Sequence, residues 1–116
     1  MKRKEMIERM LRRLGVPAHL KGYDYLVDAI DFLYEDETYK SAITKRLYPD
    51  IAKKNETTPS RVERAIRHSI DVGMKRADNE YLEHIFSYTY SAERGKPTNA
   101  EYIVCLSREL ALKLGE

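Results

Sequence analysis

With 116 residues, 42% of them hydrophobic, the chain has enough apolar material for one core and too little length for a second. No apolar run approaches the roughly 18 residues that cross a bilayer. The basic N-terminus lacks a signal-peptide core, and the single Cys105 excludes an internal disulfide, so a cytoplasmic single domain over residues 1–116 is expected. The net charge of +2 conceals segregation: residues 1–21 carry seven Lys/Arg and two acids, 22–39 six acids and no base, 40–67 eight Lys/Arg and three acids, and 68–116 six bases and eight acids. A strongly basic centre suits a polyanionic partner, although a solvated face has the same composition.

The first predicted helix runs from Lys4 to Leu14, with Met6, Ile7, Met10, Leu11 and Leu14 on one stripe, and Gly15-Val16-Pro17 ends it. The second runs from about Gly22 to Glu35. Leu26, Ala29, Ile30 and Leu33 face inward, while Asp24, Asp28, Asp31 and Glu35 fall on a different, polar face, read as a solvated face that could meet the basic first helix rather than as a cation site. Thr38–Leu47 reads as a short third helix with Ala42, Ile43 and Leu47 inward, and Pro49–Lys54 as a separate short helix or its kinked continuation. After the polar turn Asn55-Glu56-Thr57, Thr58 as N-cap and Pro59 at the first helical position start a long helix to about Arg76. Gly73 lies inside it at a cost of about 1 kcal/mol relative to Ala. A further helix is expected over Asn79–Tyr88 and a loop over Ser91–Lys96. Thr98-Asn99-Ala100-Glu101 then forms a capping box before a last helix carrying Tyr102, Ile103, Leu106, Leu110 and Leu114 on its apolar stripe. The fold class is therefore all-α, a compact bundle of about six helices.

Residues 49–76 have the outline of a helix-turn-helix. At 100° per residue, Ala65, Ile66, Ser69, Ile70 and Gly73 gather around Val62, while Ser60, Glu63, Arg64, Arg67 and Asp71 gather opposite, flanked by Arg61 and His68. Arginines on such a face can donate to guanine O6 and N7, a glutamate can accept from cytosine N4, and a serine near the helix start can hold a phosphate. An ordinary exposed face with a Glu63–Arg67 ion pair at i,i+4 has the same pattern.

Enzymatic and metal readings find little support. His19, His68, His84 and Cys105 have no metal-ligand spacing, Cys105 sits close to the apolar stripe of the last helix, and Gly95-Lys96 lacks the rest of a phosphate loop. The nine Tyr are expected in the core and at its rim rather than on one basic-aromatic surface for single strands. No cofactor and no metal are expected.

Four stretches, Leu14–Leu26 (LGVPAHLKGYDYL), Ile43–Lys54 (ITKRLYPDIAKK), Thr57–Ile70 (TTPSRVERAIRHSI) and Gly95–Ile103 (GKPTNAEYI), resemble in order the C-terminal effector domain of the stage-zero sporulation protein A response regulators of endospore-forming Firmicutes. The resemblance implies an all-helical bundle with a helix-turn-helix that binds double-stranded DNA at TGTCGAA-type promoter boxes, often as tandem protomers, and regulates transcription. It implies base contacts by Glu63, Arg64 and Arg67 of the ERAIR motif, and phosphate contacts by Ser60, Arg61 and His68. Lys53, Lys54 and Lys96 are added as phosphate contacts from their charge. RNA polymerase sigma factor is implied as a partner through the segment after the recognition helix; here Val72–Phe86 departs from the family pattern, as does Gly22–Lys40. Family members carry an N-terminal receiver domain with a phosphorylated Asp. This chain starts directly before the first effector helix, so no receiver is expected on it. The rival reading is a protein-interaction module that keeps the fold without specific DNA binding and works through the acidic segment 22–39 and the tyrosines.

Overall fold

The computed structural model describes residues 2–87 and 95–115. Among them are six α-helices and no strand: α1 (Arg3–Arg13), α2 (Lys21–Glu35), α3 (Tyr48–Lys54), α4 (Pro59–Met74), α5 (Asn79–Phe86) and α6 (Asn99–Lys113). The expected all-α bundle is what the chain forms. None of these helices is long and apolar enough to cross a membrane.

Helix α2 is the hub. It buries Tyr23, Tyr25, Leu26, Val27, Ala29, Ile30 and Leu33, and it packs on α1, α3, α4 and α6. An apolar stripe this wide cannot be covered by one neighbour, so the other helices surround it. Its acidic face does meet α1: Arg3 bridges Asp31 at 2.7 Å and Glu35 at 2.5 Å. From α1 and α6 the core receives Ile7, Met10, Leu11, Tyr102, Ile103, Leu106 and Leu110, all buried, with Leu114 partly so.

Two close approaches set how α4 sits. A Cβ on Gly22 would lie 2.1 Å from the Ala65 carbonyl oxygen, so the start of α2 touches the backbone of α4. A Cβ on Gly73 would lie 2.8 Å from the Leu14 carbonyl oxygen. Glycine inside α4, unfavourable by propensity, is thus required where the α1–α2 connection crosses it.

The segment before α3 differs from the expected third helix. Glu37–Ser41 forms a 3₁₀ turn, Ala42 interrupts it at φ −143°, and Ile43–Leu47 forms a π turn running directly into α3. Asp36 starts the first turn by accepting from Thr38 N–H at 2.9 Å. Arg46 then stacks 4.5 Å from the Tyr39 ring centroid and donates to Thr38 Oγ1 at 2.9 Å, folding the turn back across the start of α3. Pro49 has no N–H to give to the preceding turn, and the chain there closes i→i+5 bonds such as Leu47 N–H to Ala42 O at 3.1 Å. Of the two readings of Pro49–Lys54, the continuation is the one adopted. Helix α4 stops at Met74 and α5 at Phe86, each two residues short of the expected end; Tyr88 and Ser91–Arg94 lie outside the described residues.

Candidate nucleic-acid interface

Helix α3 ends in a Schellman motif. Thr57 N–H donates to Ala52 O at 2.9 Å and Glu56 N–H to Lys53 O at 3.4 Å, with Glu56 at φ +53°. Asn55 locks the turn by donating to Ile51 O at 2.8 Å and to Asp28 Oδ2 at 2.9 Å. Thr58 then accepts from Arg61 N–H at 3.3 Å, and Pro59 opens α4.

The helix partitions as its sequence predicts. Val62, Ile66, Ser69, Ile70 and Gly73 are buried, whereas Ser60, Arg61, Arg64, Arg67 and His68 are exposed and Glu63 and Asp71 half-exposed. Five of the six residues proposed to touch DNA from α4 therefore lie open on one helix, and the sixth, Glu63, borders them. Arg67 Nε donates to Glu63 Oε2 at 2.9 Å, and a terminal guanidinium nitrogen reaches both carboxylate oxygens. The hydrogen bond to Glu63 and its charge raise the Arg67 pKa further, so this cation is permanent. Arg61, Arg64 and His68 have no ion-pair partner among the described residues.

The three cations added from charge separate. Lys53 is exposed in the last turn of α3. Lys54 reaches back to Asp28 of α2 at 2.7 Å and lines a groove between α1 and α2 with Arg3, Tyr23 and Asp31. Lys96 pairs with Asp71 of α4. That pair, with Glu63 and Arg67, lines a second groove of about 420 Å³ that does not include Lys54. Lys54 thus stands apart from the Glu63–Arg67 surface, and both Lys54 and Lys96 are already engaged.

A brace absent from the expectations holds this surface. Asn99, the first residue of α6, donates from Nδ2 to the Glu63 carbonyl at 3.1 Å and to Tyr48 Oη at 3.2 Å. Tyr48 is buried, and burial raises its phenol pKa. The capping box fixes Asn99 in turn: Glu101 N–H donates to Thr98 Oγ1 at 3.1 Å and Thr98 N–H to Glu101 Oε1 at 2.9 Å. The box is visible in the sequence, but the Asn99 acceptor on α4 is 36 positions away and carries no local signal.

The arrangement is a rigid helix with one face seated in the core and the other offering arginines, a carboxylate and a hydroxyl. Residues 7–110 match the family model described as sporulation initiation factor Spo0A C terminal. With nearly the whole length matched, and with Arg64 and Arg67 of the ERAIR motif exposed on α4, the chain belongs to the sporulation initiation factor Spo0A C-terminal family of DNA-binding effector domains.

Proposed function

We propose that the chain is a sequence-specific regulator of transcription that reads TGTCGAA-type boxes in double-stranded DNA with α4. Helix α3, the turn at residues 55–58 and α4 act as the helix-turn-helix. The observation that carries the reading is the open α4 face of Ser60, Arg61, Arg64, Arg67 and His68 on a helix whose other side is packed against the core. Arg64 reads a guanine. Arg67 and Glu63 read a neighbouring guanine and cytosine together, since a carboxylate near phosphates is repelled unless a base amino group repays it. Ser60, Arg61, His68 and Lys53 hold phosphates and set register. Lys54 and Lys96 join them only by leaving Asp28 and Asp71. Tandem protomers on adjacent boxes, a sigma-factor contact beyond α4 and a cytoplasmic location complete the proposal.

The test is fluorescence anisotropy of a labelled box duplex against a scrambled one at near-physiological salt. A preference of about a hundredfold or more is expected, because specific sites generally exceed non-specific ones by at least ~10³. Arg64→Ala and Arg67→Ala should each remove about 1–3 kcal/mol of that discrimination, whereas Lys53→Ala should weaken both duplexes about equally. Equal, weak binding to both duplexes by the parent protein would overturn the proposal and favour the protein-interaction module.

A further inference from the structure

We propose that Asp71 is a built-in competitor for DNA phosphate, which holds Lys96 in reserve and thereby sets the affinity of the interface independently of sequence. The inference rests on the DNA-binding reading of α4. Glu63, Arg67 and Asp71 follow one another at i,i+4 spacing, so they form a single row along the helix. Arg67 takes Glu63, and Lys96 arrives from the loop before α6 to take Asp71. The row therefore alternates in sign, and its two acids are cancelled by Arg67 within it and by Lys96 beside it. The rest of the α4 face differs: Arg61 and Arg64 have no such partner among the described residues. Positive charge is concentrated at Arg61 and Arg64 and withheld along the row.

The geometry also lets Lys96 change partners without any backbone movement. Pro97 is buried, Thr98 and Glu101 close the capping box, and Asn99 is tied to Tyr48 and to the Glu63 carbonyl. Residues 97–101 thus keep their place against α4 whether or not Lys96 remains on Asp71. The Lys96 side chain is 48% exposed and that of Asp71 38%, so water already reaches the pair and its strength is modest. A lysine is a point charge on a flexible stem, and a phosphate can take the place of the carboxylate. Non-specific duplex and box duplex present the same phosphates, so the competition lowers affinity for both alike.

The experiment compares the parent, Asp71→Asn, Lys96→Ala and the Asp71→Asn/Lys96→Ala double variant on the box and scrambled duplexes across a salt series. Asp71→Asn is expected to tighten both duplexes by about threefold to fivefold. It should also steepen the dependence of log K on log salt by about 0.9, as one more phosphate is neutralised. The double variant should match Lys96→Ala in both affinity and salt slope, because the effect runs through Lys96. No change with Asp71→Asn would overturn the inference. So would an equal gain from Asp71→Asn in the Lys96→Ala background, since it would then reflect net charge alone. Failure of the parent to prefer the box counts against the proposed function, whereas the Asp71→Asn shift on scrambled duplex decides the role of Asp71 in either case.

Discussion

Gly22→Ala separates helix propensity from packing, because the two predict opposite signs. Propensity favours Ala over Gly in α2 by up to about 1 kcal/mol. In the structure the new Cβ would lie 2.0 Å from Ser69 Oγ, 2.1 Å from the Ala65 carbonyl oxygen and 2.7 Å from its carbon. The serine hydroxyl can rotate away, but the carbonyl belongs to the backbone of α4. Relief requires the two helices to part by about 1 Å, and a gap of that size forfeits a quarter to a half of each dispersion contact along the seam. Overpacking of this kind costs about 1–3 kcal/mol and sometimes more. After the propensity gain is subtracted from the middle of that range, a net loss of about 1 kcal/mol is expected, or a fall in Tm of roughly 4 °C for a domain of this size. Thermal unfolding followed by circular dichroism reads it. Adding Ser69→Ala should recover little, because the carbonyl clash remains. A Gly22→Ala protein that melts at or above the parent temperature would refute the close approach and with it the seating of α4.

Three further outcomes follow from particular contacts. Asn99→Ala removes two hydrogen bonds and leaves the buried Tyr48 hydroxyl without its donor, so it should cost about 2 kcal/mol; in an Asn99→Ala/Tyr48→Phe pair the combined loss should fall short of the sum, as urea unfolding would show. Glu56→Gly should raise stability by about 1 kcal/mol, since φ +53° in a Schellman position suits glycine, and a higher urea midpoint checks it. Burial pushes the Tyr81 phenol from 10.0 up to about 12. A folded pKa above the unfolded one means that this stabilisation is complete below pH 10 and is lost as pH rises from 10 to about 12, so the urea midpoint should fall across that window and Tyr81→Phe should flatten the fall.

How much was legible in the sequence depends on how local each determinant is. Thr58-Pro59 and the Thr98–Glu101 box are punctuation within four residues, and both helices begin where these signals place them. The partition of α4 was equally readable, because a 3.6-residue period needs no partner to be seen. The stretch from Thr38 to Leu47 was not. Its 3₁₀ and π turns depend on Arg46 reaching Tyr39 and Thr38, and on a proline downstream that denies a hydrogen bond. Glu56 gave no sign of its left-handed backbone, because glycine or asparagine is the usual mark of that position.

The candidate site divides in the same way. Counting charge places Lys53, Lys54 and Lys96 in one class, but a count does not reveal which acid faces each cation. Asp28 takes Lys54 from across α2, and Asp71 takes Lys96 from across α4, so only Lys53 stands without an ion-pair partner among the described residues. The basic centre of the chain is therefore less basic toward a partner than its composition suggests. Under the proposed function, affinity then rests more on the arginines of α4 and on the bases they meet, and less on lysines meeting any phosphate. On the inference drawn above, the acids that seem out of place in a polyanion-binding segment restrain indiscriminate binding, and Asp71, to which the sequence pointed for no function, is the residue whose replacement should loosen that restraint.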